Sequence, residues 1–303
     1  MELIPATEFT LQELADAYNE TRIDYIIPMP MTVERLQGYI KVYDVDLASS
    51  CAAADRGQIL GIGMLGLRAR RAWVTRLGVL PSGRRQGVGR EIMGFLLDAA
   101  CRHGAPVTWL EVIQGNTPAH ELFNSLGFVE TRRLIVARRP PVFKEIAPGE
   151  EAERPRVRHV RTLDHEATMA LLAGRQDDPN WLNQTESLRN ASDVSALAVE
   201  TDDGGHGWVT YKTSLLRLTR IVADVTEGEP AAVAAALLQT LHEFYPTQDA
   251  IAENIAADDP KWPVDADPRD RRFSERTWEE NPNYAALRQY YLAACGYVDG
   301  LRE

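Results

Sequence analysis

The residues with the clearest chemical potential in this 303-residue chain are arginines and glycines in one short segment. It reads LGVLPSGRRQGVGREIM and sets Arg84, Arg85 and Arg90 around Gly87 and Gly89. An apolar run precedes the segment and a helical pattern follows it, which predicts a loop that opens a helix. The first N–H groups of a helix lack partners within it, and glycines let an anion approach the backbone closely. The pattern predicts a pyrophosphate site.

The elements around this loop are predicted from periodicity and turn residues. Thr10 and Thr32 precede apolar residues at helical spacing and are expected to be N-caps. DRGQ separates two apolar runs and predicts a hairpin, and WVTRLGVL (73–80) is a predicted strand. The expected continuation is a helix that begins at Val88, a strand over 107–113, a helix that ends at Gly127 and a strand over 128–139. This order favours an α/β (α+β) fold with a mixed, mostly antiparallel sheet.

The second half repeats this order of elements with different residues. A strand and a helix, a hairpin around DDGGHG, a strand over 218–225, a helix, a strand and a last helix through NYAALRQYYLAACGYVDG are predicted. Residues 145–156 are rich in Glu, Pro and Gly and are expected to link a domain over 1–144 to one over 157–303. The charged, proline-rich insert 258–283 is predicted to wall a substrate cleft.

Composition sets limits on the class of protein. Hydrophobic residues make up 45% and charged residues 25%, which is typical of a soluble globular chain. Residues 1–144 carry a net charge of +2 and residues 145–303 of −13, an acidic balance that argues against a nucleic-acid partner. The three cysteines are too few for a disulfide framework and are expected to be buried thiols, with no metal site. With no signal peptide or membrane span evident, a cytoplasmic protein without a membrane partner is expected.

The arginine–glycine loop resembles a known family signature. The run Arg84-x-x-Gly87-x-Gly89 after an apolar strand is similar to the R/Q-x-x-G-x-G/A loop of GNAT N-acetyltransferases, which grips the pyrophosphate of coenzyme A. Downstream, Asn116, Ala119, Leu122 and the run 126–128 resemble the family helix N-x-x-A-x-x-L-Y-x-x-x-G-F. Two motifs in order make residues 77–128 similar to the acetyl-CoA half of such an enzyme. The repeated element order then implies two GNAT-like domains, of which the second is degenerate.

The resemblance implies acetyl-CoA as co-substrate, a primary amine as acceptor and direct attack on the thioester. The cofactor-binding residues that it implies are Leu77, Gly78, Val79, Arg84, Arg85, Gln86, Gly87, Val88, Gly89, Arg90, Asn116 and Phe123. A backbone N–H of Val79 or Leu77 is expected to stabilise the thioester oxygen, and Gly78 to mark a bulge that opens the slot. Glu111 is the first candidate for the general base. The alternative is a carboxylate at the rim that pairs with an arginine.

Two features restrict this interpretation. Phe123 stands where the family helix has a tyrosine that can protonate the departing thiolate, so water or another side chain would have to supply that proton. The alternative is a non-catalytic acyl-CoA sensor or interaction protein. His120 and His103 are expected to be a solvent-facing residue and a helix C-terminal residue. Another kind of phosphate-loop protein is disfavoured because G-x-x-x-x-G-K-[ST] is absent from the sequence.

In the second half, acidic residues replace the arginine–glycine loop. The corresponding stretch, VADVTEGEPAAVAAALL, holds Gly228 between Glu227 and Glu229 and has no arginine. Carboxylates at a helix N-terminus stabilise the helix but repel a pyrophosphate. This copy is therefore expected not to bind coenzyme A in the usual way. The acidic second half also favours a cationic amine as acceptor; the sequence predicts neither the acceptor's identity nor the oligomeric state.

Overall fold

The computed structural model describes residues 1–25, 29–141, 156–262 and 295–301. The chain divides into two compact units: unit 1, Met1–Arg132 with Cys295–Glu303, and unit 2, Arg133–Ala294. Each unit is a mixed sheet flanked by helices, which confirms the predicted fold class. The predicted linker 145–156 and most of the insert 258–283 lie outside the described residues.

The sheet of unit 1 has the strand order β1-β2-β3-β4-β5-β12. These strands are β1 (Glu2–Pro5), β2 (Cys51–Asp55), β3 (Gln58–Arg68), β4 (Arg71–Val79), β5 (Val107–Ile113) and β12 (Cys295–Leu301). Its helices are α1 (Leu11–Thr21), α2 (Val33–Val42), α3 (Val88–His103) and α4 (Thr117–Ser125). Neighbouring strands are antiparallel except β4 and β5, which are parallel. The single parallel pair is the place where the site residues gather.

Unit 2 has the strand order β6-β11-β10-β9-β8-β7, with β10 and β11 as its parallel pair. Its strands are β6 (Phe128–Arg139), β7 (Val157–Leu163), β8 (Ser195–Thr201), β9 (His206–Thr213), β10 (Arg217–Glu227) and β11 (Asp249–Ala256). Its helices are α5 (His165–Gly174), α6 (Thr185–Asn190) and α7 (Pro230–Phe244). The two units therefore share one topology, as the repeated order of elements predicts.

The final strands of the two units differ from a simple division of the chain. β6 begins in unit 1 and pairs with β11 through its residues 134–139, whereas β12, from the end of the chain, pairs with β5 in unit 1. A boundary at 145–156 assigns these two strands the other way round. The sequence interpretation also ends the chain with a helix and its exit, but Cys295–Leu301 is a strand. Strand β1 was not predicted either, because four residues are too few to show a period.

Helices pack on both faces of the unit 1 sheet. Ile62 and Met64 of β3 face a cluster formed with Leu14 and Tyr18 of α1 and Leu36 of α2. The opposite face packs on α3, in a cluster that includes Val74, Leu65, Ile92 and Leu96. Side chains along a strand alternate between its faces, so β3 and β4 serve both layers. The central strands are therefore buried and fixed on both sides.

Local signals set the helix ends. Thr10 and Glu13 form a capping box, in which each side chain binds the other's backbone N–H, and Thr32 accepts from the N–H of Arg35. Both predicted N-caps are confirmed. Cys51 is buried as expected, which raises the pKa of its thiol to about 12, but Cys101 is exposed because it lies on the outer side of α3.

Candidate active site

The site begins where β4 and β5 stop pairing. Residues 71–73 of β4 pair with residues 107–109 of β5, and the paired register ends there although both strands continue. Across β4, Ile62 faces Gly78 and Met64 faces Thr75, so two residues of β4, 76 and 77, oppose one residue of β3. A bulge of this kind bends a strand away from its neighbour. The divergence opens a slot between the carboxyl-terminal halves of β4 and β5.

The bulge is at Arg76 and Leu77, and the expectation that Gly78 marks it is wrong. Arg76 supplies the left-handed backbone, with φ of 52°. Gly78 is needed for a different reason: a Cβ there would lie 2.2 Å from Oγ1 of Thr21 at the end of α1. Glycine at 78 thus lets α1 close onto β4 beside the slot.

The loop between β4 and α3 presents a row of backbone donors. The N–H groups of Gly83 and Arg84 bond to carbonyls of the preceding turn, while residues 85–89 donate to no acceptor among the described residues. Arg85 and Gly87 have left-handed backbones, with φ of 62° and 84°. Alternation of right- and left-handed residues turns successive N–H groups toward one point and forms an anion nest. The nest coincides with the positive end of α3.

The two motif glycines act in different ways. Gly87 is the left-handed N-cap of α3, and a Cβ on it would meet nothing within 4 Å. Its backbone conformation, and not the space around it, requires glycine. A Cβ on Gly89 would lie 3.2 Å from Cδ2 of Leu122, so this glycine lets α4 approach α3 closely.

The loop arginines do not all serve the nest as predicted. The guanidinium of Arg84 pairs with both carboxylate oxygens of Asp24, at 2.6 and 2.7 Å, and also donates to the carbonyl of Val79. This pairing lowers the pKa of Asp24. Arg84 therefore connects the loop to the end of α1, which corrects its expected role as a side-chain donor to pyrophosphate. Arg90 donates to Ser125 of α4, and Gln86 donates to the carbonyl of Ser82.

The two α4 positions in the predicted site differ in what they contact. Asn116 is the N-cap of α4, yet its side chain makes no capping bond and is given no partner among the described residues. It is available to a ligand. Phe123 is only 5% exposed, and its ring packs 5.9 Å from that of Phe128 in the core beneath α3. Phe123 is part of that core and has no proton to give.

Glu111 lies on β5 beyond the last residue paired with β4. Its Oε2 accepts a hydrogen bond from Nε1 of Trp73 at 2.7 Å, and its Oε1 is buried without a partner. Burial raises the pKa of this carboxyl to about 7, against the lowering effects of the Trp73 bond and of Arg132 and Arg76. A base with this pKa is half ionised near neutral pH, which suits proton transfer. The carboxylate is buried, in contrast to the rim position considered as its alternative.

The backbone of β4 offers one donor to the slot. The N–H of Leu80 bonds to the carbonyl of Leu60 at 2.8 Å and therefore points toward β3. Successive N–H groups alternate in direction along an extended strand, so the N–H of Val79 points away from β3 and toward the slot. The carbonyl of Leu77 accepts from Arg22. Of the two predicted donors, Val79 has the favourable direction.

An aromatic wall stands beside Glu111 and was not predicted from the sequence. Tyr39 and Tyr43 of α2 lie 6.1 and 5.9 Å from Trp73, ring centre to ring centre, and Arg76 lies over the ring of Tyr39 at 4.1 Å. The hydroxyl of Tyr39 bonds to Thr75 at 2.5 Å. The available sequence signal was the four-residue spacing of the tyrosines and the alternation of Trp73 with Thr75.

The corresponding place in unit 2 is closed. Only residues 228 and 229 separate β10 from α7, compared with residues 80–87 between β4 and α3. The carboxylate of Glu229 accepts from the N–H groups of Ala231 and Ala232 and so occupies the helix N-terminus itself. A Cβ on Gly228 would lie 2.7 Å from the Cα of Gly205, which leaves no room for a ligand against the backbone.

Other candidate groups lie away from this chemistry. His120 interacts with Asn124 and Glu130 on the solvent side of α4, as expected of a surface residue. Within the described ranges, no cluster of His, Cys, Asp and Glu has the makings of a metal site. No helix in the same ranges is long and apolar enough to cross a bilayer.

The raised pKa of Glu111 predicts a pH-dependent stability. Because the pKa is higher in the folded protein than its usual 4.5, ionisation opposes folding, with no penalty below pH 4.5 and the full penalty above pH 7. Glu111→Gln keeps an acceptor for Trp73 and removes that penalty. We expect the free energy of unfolding of Glu111→Gln to exceed that of the wild type by up to roughly 3 kcal/mol at pH 8 and by little at pH 4.

Urea unfolding at both pH values measures this difference. Glu121→Gln, at an exposed position on α4, is the matched control and should show no such pH dependence. A gain for Glu111→Gln that is the same at pH 4 and pH 8 would contradict the assigned pKa.

Comparison with known proteins matches the geometry of unit 1. Residues 11–128 match the model of the acetyltransferase (GNAT) family. The [ribosomal protein bS18]-alanine N-acetyltransferase of Escherichia coli is 39% identical over 59 residues, which cover 20% of this chain and 40% of that protein. The streptothricin acetyltransferase of Streptomyces lavendulae is 31% identical over 87 residues, 28% of this chain and 46% of that protein. The chain thus spans less than half the length of these relatives.

Solved structures resemble the chain over nearly its whole length. A GCN5-related N-acetyltransferase from Sphaerobacter thermophilus has a TM-score of 0.61 at 14% identity, covering 98% of this chain and 93% of that one. A tandem GNAT protein from the clavulanic acid biosynthesis pathway has a TM-score of 0.58 at 14% identity, covering 99% and 98%. At this identity the likeness concerns the fold alone, and it extends to a tandem arrangement. Residues 11–128 of this chain therefore form a domain of the acetyltransferase (GNAT) family.

Proposed function

We propose that the protein is an acetyl-CoA-dependent N-acetyltransferase that transfers an acetyl group to a primary amine by direct attack. The observation that carries this proposal is the position of Glu111: a buried carboxylate with a pKa of about 7 on β5, beyond the point where β4 diverges. β4 itself leads directly into the anion nest. A base and a pyrophosphate cradle at the two ends of one slot suit an acyl-CoA and an acceptor that meet between them.

The nest would hold the pyrophosphate through the N–H groups of residues 85–89, and Asn116 would bond to the pantetheine arm. Gly87 supports this role through its left-handed backbone and Gly89 through the close packing of α3 on α4. Backbone donors fixed in the loop lose little entropy on binding an anion, which favours affinity. The amine relatives named above, a protein alanine and streptothricin, are consistent with an amine acceptor here.

The chemical step needs one proton removed and one supplied. An ammonium with a pKa of ~10 loses a proton to Glu111, and the free amine attacks the thioester carbon. The carbonyl oxygen becomes negative and receives the N–H of Val79. The C–S bond then breaks and coenzyme A leaves as a thiolate, which water protonates. Because thiols ionise near pH ~8.5, this leaving group does not need the acid that Phe123 lacks.

A non-catalytic acyl-CoA sensor is the second candidate, and Phe123 is the observation that favours it. It predicts binding of coenzyme A without turnover of any amine. The buried, unpaired Oε1 of Glu111 favours catalysis, because a binding protein gains nothing from a carboxylate that burial destabilises.

Release of free thiol from acetyl-CoA in the presence of an amine panel tests the proposal. We expect turnover by the wild type and its loss in Gly89→Leu, because the new side chain collides with Leu122 and displaces the loop. Gly94→Leu is the matched control in the same helix: a Cβ at 94 meets nothing within 4 Å. It should retain turnover. Calorimetric titration with coenzyme A in parallel distinguishes a sensor, which binds without turnover, from a protein with no such site.

The pH dependence of kcat/KM tests the base. We expect kcat/KM to fall tenfold per pH unit below about pH 7, as Glu111 becomes protonated. Glu111→Gln should lose this limb and, at pH 8, at least about 10²-fold in kcat/KM. A wild-type limb that persists unchanged in Glu111→Gln would assign the base to another group.

A further inference from the structure

Two polar atoms near the aromatic wall are buried and have no partner. One is Oε1 of Glu111, which can only accept a hydrogen bond when ionised, and the other is Nε of Arg76, which can only donate. Buried polar groups in folded proteins are nearly always paired, so each exception needs an explanation. A ligand that offers a donor to Glu111 and an acceptor to Arg76 would satisfy both.

Arg76 is a cation with no carboxylate partner among the described residues. Its Nη1 donates to the hydroxyl of Tyr18 at 3.0 Å, and its guanidinium lies over the rings of Tyr39 and Tyr18, at 4.1 and 5.3 Å. Phenol and ring contacts hold the side chain in place without neutralising it. The positive charge therefore remains available to an anion that enters the slot.

The position of Arg76 is set by the bulge and connects it to Glu111. Arg76 follows Thr75, whose hydroxyl bonds to Tyr39, and Tyr39 lies against Trp73, the residue that donates to Glu111. One continuous wall thus carries a cation at one end and a carboxylate at the other. The separation is about that of two stacked side chains, which a small molecule can span.

Unit 2 shows which part of this arrangement belongs to the fold. Its strand β10 has a bulge at the equivalent place, where Arg220 has φ of 53°, almost the same as the 52° of Arg76. The strained arginine is therefore a feature of both copies. The sequence opposite the bulge differs: Gly63 of β3 corresponds to Tyr211 of β9, whose ring packs on Tyr245. Arg220 provides a matched control for Arg76.

We propose that the acceptor is a zwitterion of the amino-acid class, with its amine at Glu111 and its carboxylate at Arg76. The proposal rests on the acetyltransferase function and specifies its substrate class. An amine without a carboxylate would bring a second positive charge beside Arg76 and leave its Nε unpaired. A zwitterion pairs both ends of the wall, and a site built for a charged group discriminates strongly against analogues that lack it.

The test compares matched acceptors in the thiol-release assay with acetyl-CoA: each amino acid, its amide and its decarboxylated amine. We expect kcat/KM for amino acids to exceed that for both analogues by at least about tenfold. The amide keeps a carbonyl oxygen, as a peptide N-terminus does. A preference for amides or for decarboxylated amines would overturn the proposal.

Variants assign the discrimination to the residue. Arg76→Gln should lose most of the preference for the carboxylate through a higher KM, with little change for decarboxylated amines, and Arg76→Lys should recover part of it. Arg220→Gln should leave the preference intact. An equal loss of all acceptors in Arg76→Gln would mean that Arg76 only supports the fold.

A binding measurement separates this proposal from the proposed function. N-acetylated amino acids, with coenzyme A present, should raise the Tm of the wild type but not of Arg76→Gln. Such binding without turnover would uphold the carboxylate site and count against the transferase. Turnover that is indifferent to the carboxylate would uphold the transferase and overturn the carboxylate site. Neither binding nor turnover would overturn both.

Discussion

The divergence of β4 from β5 after Trp73 is the constraint on which the rest of the site depends. Pairing to the strand ends would leave no slot, would cover Glu111 and would place the N–H of Val79 in a sheet. The bulge at Arg76 produces the divergence, and the close approach of α1 to Gly78 holds it from one side. Backbone geometry therefore creates the cavity, and side chains then give it chemical character.

The two units show that this geometry alone does not make a cofactor site. Both have the bulge and a parallel pair that stops early. They differ in the connection to the next helix, which is long and rich in unpaired N–H groups in unit 1 and short in unit 2. In unit 2 the carboxylate of Glu229 takes the helix N-terminus that an anion would need. A few residues of loop separate an anion site from a capped helix.

The sequence predicted the features that depend on local residue types and missed those that depend on distant contacts. Capping at Thr10 and the glycine loop follow from neighbours a few residues away. The pairing of Arg84 with Asp24 joins residues 60 positions apart, so no local pattern reveals it. The placement of β12 in unit 1 is also invisible in the strand itself, because a strand's residues record its faces and not its partner. The bulge went to the adjacent glycine, since a left-handed arginine such as Arg76 is uncommon.

Hydrogen–deuterium exchange with and without coenzyme A tests the central claim most directly, because it reads the backbone N–H groups themselves. The account predicts that coenzyme A slows exchange at residues 85–89, whose N–H groups have no acceptor in the protein. Residues 228–232 of unit 2, already capped by Glu229, should not change. Unchanged exchange at residues 85–89, or protection at residues 228–232 instead, would contradict the account.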